Sequence, residues 1–282
     1  MSAHVERWIA ESPYARSLGV ELADLSGETA RLRLPYRDAN SNPGRALHGG
    51  CAASLGSLGA QAVARAALGP DSGPWHTAQI QVSYLAAAVG EDVAARATLL
   101  RQGRELCFAR VEVESGAGRP IASVVAVVRA GFGAGAAPLP VAAGDAGGSD
   151  PGVLGRQLGV IPFLAERGIE AQHMVGGRSR LVMPWREGNA DLDGGVHEGA
   201  VLALLDTAGA MASWAETDQG RYKASTPSIQ AQVLAPPFRG DLVAFGRCVQ
   251  REGPIFWSDV EVAGAADRRV CARGTVLYRI LT

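Results

Sequence analysis

Two stretches decide the reading of this chain: His48-Gly49-Gly50-Cys51-Ala52-Ala53-Ser54-Leu55-Gly56-Ser57 and His197-Glu198-Gly199-Ala200-Val201-Leu202-Ala203-Leu204-Leu205-Asp206. Each opens on a histidine and runs into an apolar, helix-like segment, and the two stand 197 − 48 = 149 residues apart. The same offset carries Arg31-Leu32-x-x-Pro35-x-Arg37-x-x-Asn40 onto Arg180-Leu181-x-x-Pro184-x-Arg186-x-x-Asn189, and Thr77-x-x-Ile80-Gln81 onto Thr226-x-x-Ile229-Gln230. Further on, Asp92 meets Asp241 and Val111-Glu112-Val113 meets Val260-Glu261-Val262. The chain is an internal duplication. Its period is far longer than that of a solenoid repeat, so each copy is expected to carry its own hydrophobic set. The informative positions are those where the copies differ.

With 282 residues and 47% apolar content the chain can bury a substantial core, divided economically into two units of roughly 130 residues. A formal net charge of −1 gives no bulk attraction to nucleic acid or anionic membrane. The four cysteines, Cys51, Cys107, Cys248 and Cys271, show no C-x-x-C spacing, which argues against zinc and a disulfide framework. His4, Glu6 and Arg7 stand where a signal peptide needs an apolar run, and no stretch of apolar residues is long enough for a membrane span. A soluble cytoplasmic protein is expected.

Between the copies, from Gly131 to Ser149, the sequence is rich in Gly, Ala and Pro and carries one charge, which reads as a linker, placed at 132–150, joining a first domain, 1–131, to a second, 151–282. In each copy a helical segment (Val5 to Ser17; Val153 to Arg167) precedes two short strands (around Val20 to Leu34; Ile169 to Met183), a turn-forming loop, and then the apolar helix. The run Glu198 to Ala215 is apolar on nearly every face, as is Gly49 to Leu68, so both helices are expected to be buried. Four strands follow in each copy: Thr77 to Ala86, Asp92 to Leu100, Leu106 to Glu114 and Pro120 to Arg129, and their equivalents from Thr226 to Ile280. Their alternation predicts antiparallel pairing with one face covered, and hence an α+β architecture.

Asp206 is the sharpest single residue. A carboxylate inside Leu204-Leu205-Asp206-x-Ala208 must be paired, hydrogen-bonded or protonated, either for structure or for chemistry. Its equivalent is Ser57, so the charge is not a shared requirement of the core. His48-Gly49-Gly50 offers something different: unpaired amides at a helix N-terminus, with a glycine that lets a substrate oxygen approach the backbone. In the second copy Glu198 replaces Gly49. Asn42, six residues before His48, can donate through its amide, whereas its equivalent Asp191 when ionised only accepts. Along one helix, Gly49 and Ser57 (or Glu198 and Asp206) are roughly 12 Å apart at 1.5 Å per residue, too far to act on one carbonyl. A site made across the copies, Asn42 and Gly49 with Asp206, has no such difficulty. The reciprocal set of Asp191, Glu198 and Ser57 lacks the base and crowds the donor position with carboxylates.

The pattern Asn42-x5-His48-Gly49-Gly50, together with His197-Glu198-Gly199-x6-Asp206, resembles the hotdog-fold acyl-CoA thioesterases, most closely the PaaI-like (phenylacetate-pathway) branch. The resemblance spans both halves. It implies a tandem double hotdog, each copy an antiparallel sheet wrapped around a central buried helix. It also implies hydrolysis of an acyl-CoA to free acid and CoA without cofactor or metal. Carried over residue by residue, it names Asp206, Gly49, Asn42 and His48 as catalytic, and Thr226 as the polar group that orients the attacking water, with Thr77 its equivalent. The first copy departs from the family in lacking the acid, and the second in lacking the Asn and the Gly. An acyl-CoA substrate and a homodimer of double hotdogs are the expected partners. A non-hydrolytic acyl-CoA binding or regulatory protein is the alternative. The Asp71-x4-His76 spacing used by hotdog hydratases falls after the helix instead of before it, which leaves a hydratase a distant third.

Overall fold

The computed structural model describes residues 3–131, 137–144, 148–220, 222–235 and 239–281. The first copy contains helices α1 (Ala3–Glu11), α2 (Pro13–Leu18) and α3 (Gly49–Leu68) and strands β1 (Glu21–Leu25), β2 (Thr29–Leu34), β3 (Trp75–Tyr84), β4 (Val93–Gln102), β5 (Leu106–Ser115) and β6 (Pro120–Ala130). The second repeats the order with α4 (Gly152–Gly155), α5 (Pro162–Arg167), α6 (Glu198–Trp214), β7 (Glu170–Val175), β8 (Arg178–Met183), β9 (Lys223–Val233), β10 (Leu242–Glu252), β11 (Ile255–Gly264) and β12 (Val270–Leu281). The single helix expected ahead of each sheet is broken in both copies. Pro13 and Pro162 each start a new helix at its first position, where the missing N–H costs nothing. In the second copy the equivalent of α1 shrinks to one turn and a 3-10 segment, Leu158–Val160.

The strands form one 12-stranded antiparallel sheet in the order β1-β2-β4-β5-β6-β3-β9-β12-β11-β10-β8-β7, each half wrapped around its own long helix: a tandem double hotdog. The halves join where β3 meets β9, and there Gln81 pairs with Gln230, its own equivalent (81 + 149 = 230). A local pseudo-two-fold axis therefore passes between these two residues.

Residues shared by the copies hold the frame. Asp92 accepts from the Tyr36 amide at 2.7 Å and Asp241 from the equivalent Trp185 amide at 2.7 Å. Asn40 donates to the Leu18 carbonyl and Asn189 to that of Arg167, at 2.7 and 2.8 Å. Each copy also docks its N-terminal segment on the other, the Tyr14 amide donating to Ala190 O and the Phe163 amide to Ser41 O.

The two long helices touch through small residues. A Cβ on Gly50 would stand 2.5 Å from the Ala203 methyl, and one on Gly199 2.6 Å from Ser54 Oγ. Contacts 50–203 and 54–199 run in opposite directions, so the helices are antiparallel where they cross, and each N-terminus lies over the middle of its neighbour. The glycine two residues after each capping histidine, Gly50 and Gly199, thus serves helix packing, which accounts for its presence in both copies.

Of the expected linker, residues 132–136 and 145–147 lie outside the described residues. The intervening piece is tied down. Ala142 N donates to Arg268 O, Val270 N to Pro140 O, and Ala142 packs with Val243, Phe245, Ala263 and Val270 on the outer face of the second sheet. No helix among the described residues is long and apolar enough to cross a membrane.

Candidate active site between the repeats

The α3 N-terminus is built by His48. Its backbone is extended, its Nδ1 accepts the Gly50 N–H at 2.9 Å, and its carbonyl takes the Cys51 N–H at 2.9 Å. These two bonds satisfy the Gly50 and Cys51 amides and leave the Gly49 N–H without an acceptor among the described residues. His48 is buried, stacked on Phe163 of the other copy at 4.2 Å, and burial lowers its pKa to about 3, so the ring is neutral and acts as a cap. His48 thus shapes the helix end, its Nδ1 already engaged by the Gly50 N–H.

Asp206 comes to this helix end from α6 of the second copy. Its Oδ2 lies 2.7 Å from the point where a Cβ on Gly49 would stand. Its Oδ1 accepts from the Thr226 hydroxyl at 2.9 Å. Thr226 therefore spends its proton on the carboxylate and holds it in place, and only its lone pairs remain to receive a hydrogen from water. Burial raises the Asp206 pKa from 3.8 to about 6, partly offset by the Thr226 bond. Such a carboxyl is ionised at neutral pH yet basic enough to take a proton. Asn42 sits half-buried in the loop before His48, its side chain without a hydrogen-bond partner among the described residues.

Tyr84, unnoticed in the sequence, completes this end. Its ring lies 3.5 Å from the Gly49 Cβ position and its hydroxyl donates to Gly49 O at 3.2 Å. The equivalent of Tyr84 is Val233, a difference visible at the 149-residue offset. Farther along α6, Trp214 donates to Tyr278 OH at 3.1 Å and stacks on Tyr222.

The reciprocal location is filled by the protein. Glu198 points back across the boundary: Oε2 accepts from Gln61 Nε2 at 2.7 Å and from Ser57 Oγ at 3.3 Å, and Oε1 from the Thr77 amide at 3.0 Å. In both locations a carboxylate thus reaches the strand threonine, but here it arrives from the helix N-terminus, where the other site has Gly49. Outside it, a cavity of about 340 Å³ is walled by Trp8, Arg65, Trp75 and Asp191. The Arg65 guanidinium lies 3.6 Å from the Trp8 ring centre and 4.6 Å from that of Trp75. Trp8 donates to both oxygens of Asp191. Gln61, Arg65 and Trp8 correspond to Ala210, Trp214 and Gln157 at the 149-residue offset, a difference between the copies that the sequence reading did not single out. A larger groove, about 580 Å³, lies on the outer face of the second sheet by Phe245, Glu261 and Arg273, away from both helix N-termini.

Residues 37–133 match the family model described as acyl-CoA thioesterase N-terminal domain. A protein of Halobacterium salinarum named "Putative esterase VNG_1336C" is 34% identical over 116 residues, 40% of this chain and 76% of that protein. Among solved structures, acyl-CoA thioesterase II TesB2 of Mycobacterium marinum superposes with a TM-score of 0.63 at 12% identity, covering 94% of this chain and 95% of that one. The tesB protein of Mycobacterium avium subs paratuberculosis superposes at 0.64 and 12% identity, covering 95% and 98%. Those two share the fold over both repeats, while the sequence match carries the kinship: the chain belongs to the hotdog-fold thioesterase family and is a thioester hydrolase.

Proposed function

We propose that the protein hydrolyses an acyl-CoA at one composite site made of Asn42 and Gly49 from the first repeat and Asp206 and Thr226 from the second. The observation that carries this reading is the approach of Asp206 Oδ2 to the Gly49 end of α3. The thioester carbonyl oxygen accepts from the Gly49 N–H and the Asn42 amide. Asp206 Oδ2 takes a proton from a water that attacks the carbonyl carbon, and the developing oxyanion is held by donors already in place. Collapse of the tetrahedral intermediate breaks the C–S bond, and the CoA thiolate leaves with the proton. This scheme uses no cofactor or metal, and the two repeats complete it within one chain.

The Asn42-x5-His48-Gly49-Gly50 motif favours the PaaI-like branch. Domain limits of 1–131 and 151–282 fit the repeat of elements. The test is thiol release from aryl and aliphatic acyl-CoAs by the wild type and Asp206→Asn. Turnover lost in the variant supports the composite site. Saturable binding without turnover by the wild type supports a non-hydrolytic binding protein.

A further inference from the structure

We infer that Tyr84 is a positioning residue for the oxyanion donor, by clamping the peptide that follows it. This rests on the composite-site reading. The Gly49–Gly50 peptide is held at both ends: Tyr84 donates to its carbonyl oxygen at 3.2 Å, and its N–H donates to His48 Nδ1 at 2.9 Å. With that plane fixed, the remaining freedom of Gly49, which has no side chain of its own to restrict it, is taken up, and the direction of its N–H is set. The Tyr84 ring packs beside Gly49, where a Cβ would be 3.5 Å from Cε1 and 3.6 Å from Cζ. Burial and the neighbouring Asp206 charge keep the phenol protonated, so it stays a donor.

The pseudo-symmetry supplies an internal control. The equivalent Glu198–Gly199 peptide keeps the histidine bond, Gly199 N to His197 Nδ1 at 2.9 Å, but Val233 has nothing to donate to the Glu198 carbonyl. The tyrosine is present only where the glycine and the facing acid are present.

Donor alignment matters most when negative charge is on the oxygen, so loss of the clamp falls on kcat. Tyr84→Phe keeps the ring and removes the bond. It should lower kcat about tenfold with KM and thermal midpoint nearly unchanged. A thioether analogue of the acyl-CoA, which has no carbonyl oxygen, should bind the variant as tightly as the wild type. Tyr84→Val, the equivalent residue, should lower kcat further and also raise KM through loss of the ring. A kcat within twofold of wild type for Tyr84→Phe, or weakened thioether binding in step with turnover, overturns the inference. Asp206→Asn assayed in parallel separates the two readings: full activity there defeats the composite site, whereas a dead Asp206→Asn beside a fully active Tyr84→Phe defeats only the role of Tyr84.

Discussion

Glu198 and Gln61 are joined across the repeats: the carboxylate of one accepts from the side-chain amide of the other at 2.7 Å, at the position where the first location has Gly49. Ser57, Gln61 and the Thr77 amide all donate to Glu198, which ties this location together where Ser57 stands at the position of Asp206.

Glu198→Ala is therefore expected to cost stability and not activity. It strips partners from the buried Gln61 amide and the Thr77 N–H, which at about 1–3 kcal/mol for each unsatisfied group gives a clear loss in urea unfolding. Thiol release should stay within twofold of wild type. A large fall in turnover contradicts the assignment of Glu198 to the inactive location.

Asp206→Asn preserves shape and removes basicity, so kcat should drop by two to four orders of magnitude, in the range expected for loss of a general base. In the wild type, kcat/KM should rise with pH through about 6 as the carboxyl ionises. A flat profile between pH 5 and 8 argues that another group limits the reaction.

The same pKa predicts an opposite effect on folding. The folded state holds the proton up to about pH 6 and the unfolded chain only to 3.8, so stability falls as pH rises through that window. The cost of carrying the buried charge above it is roughly 3 kcal/mol at most. Asp206→Asn should thus be more stable than the wild type at pH 8, and the gap should close near pH 3.5. Equal urea midpoints at both pH values refute a raised carboxyl.

Gly49→Ala places a methyl 2.7 Å from Asp206 Oδ2, and turnover should be abolished. Gly49→Glu adds negative charge beside the oxyanion and should do the same. At the Glu198 location, Glu198→Gly with Asp191→Asn is expected to leave turnover at the first site nearly unchanged, and adding Ser57→Asp is expected to create a second, read as a rise in thiol release. Activity of Gly49→Ala near wild type removes the Gly49 N–H from the mechanism.

Halves separated in 132–150 should each be inactive and regain activity on mixing, because in the proposed composite site each supplies only one side. Catalysis by one half alone defeats the cross-repeat assignment. Deletions in 137–144 should lower the midpoint of unfolding, since Pro140 and Ala142 are bonded to the second sheet. Composition shows a lack of large side chains in the linker, but backbone pairing to Arg268 and Val270 needs none.

The long helices and the eight strands following them were legible because their signals are local: capping histidines, apolar runs and period-two alternation. α3 spans Gly49–Leu68 as expected, and strand ends moved by no more than about a turn's width. The chemical asymmetry of the copies, Asp206 against Ser57 and Gly49 against Glu198, was equally open, since a fixed offset compares each position with its own equivalent. The helical segment ahead of each sheet was misjudged because Pro13 and Pro162 restart it.

What the sequence by itself determined is the duplication, the hotdog elements and which copy kept the acid. Which groups meet was decided by tertiary structure. Gly50 against Ala203 and Gly199 against Ser54 set how closely and in which sense the helices cross, and β3–β9 pairing sets the axis that relates them. Only that crossing puts Asp206 over Gly49, turns Glu198 into Ser57 and Gln61, and lets Tyr84 reach the Gly49 carbonyl. These contacts join residues 35 to 157 positions apart, and no local preference of the chain encodes them; they follow from the packing of two helix surfaces whose small residues permit one close approach.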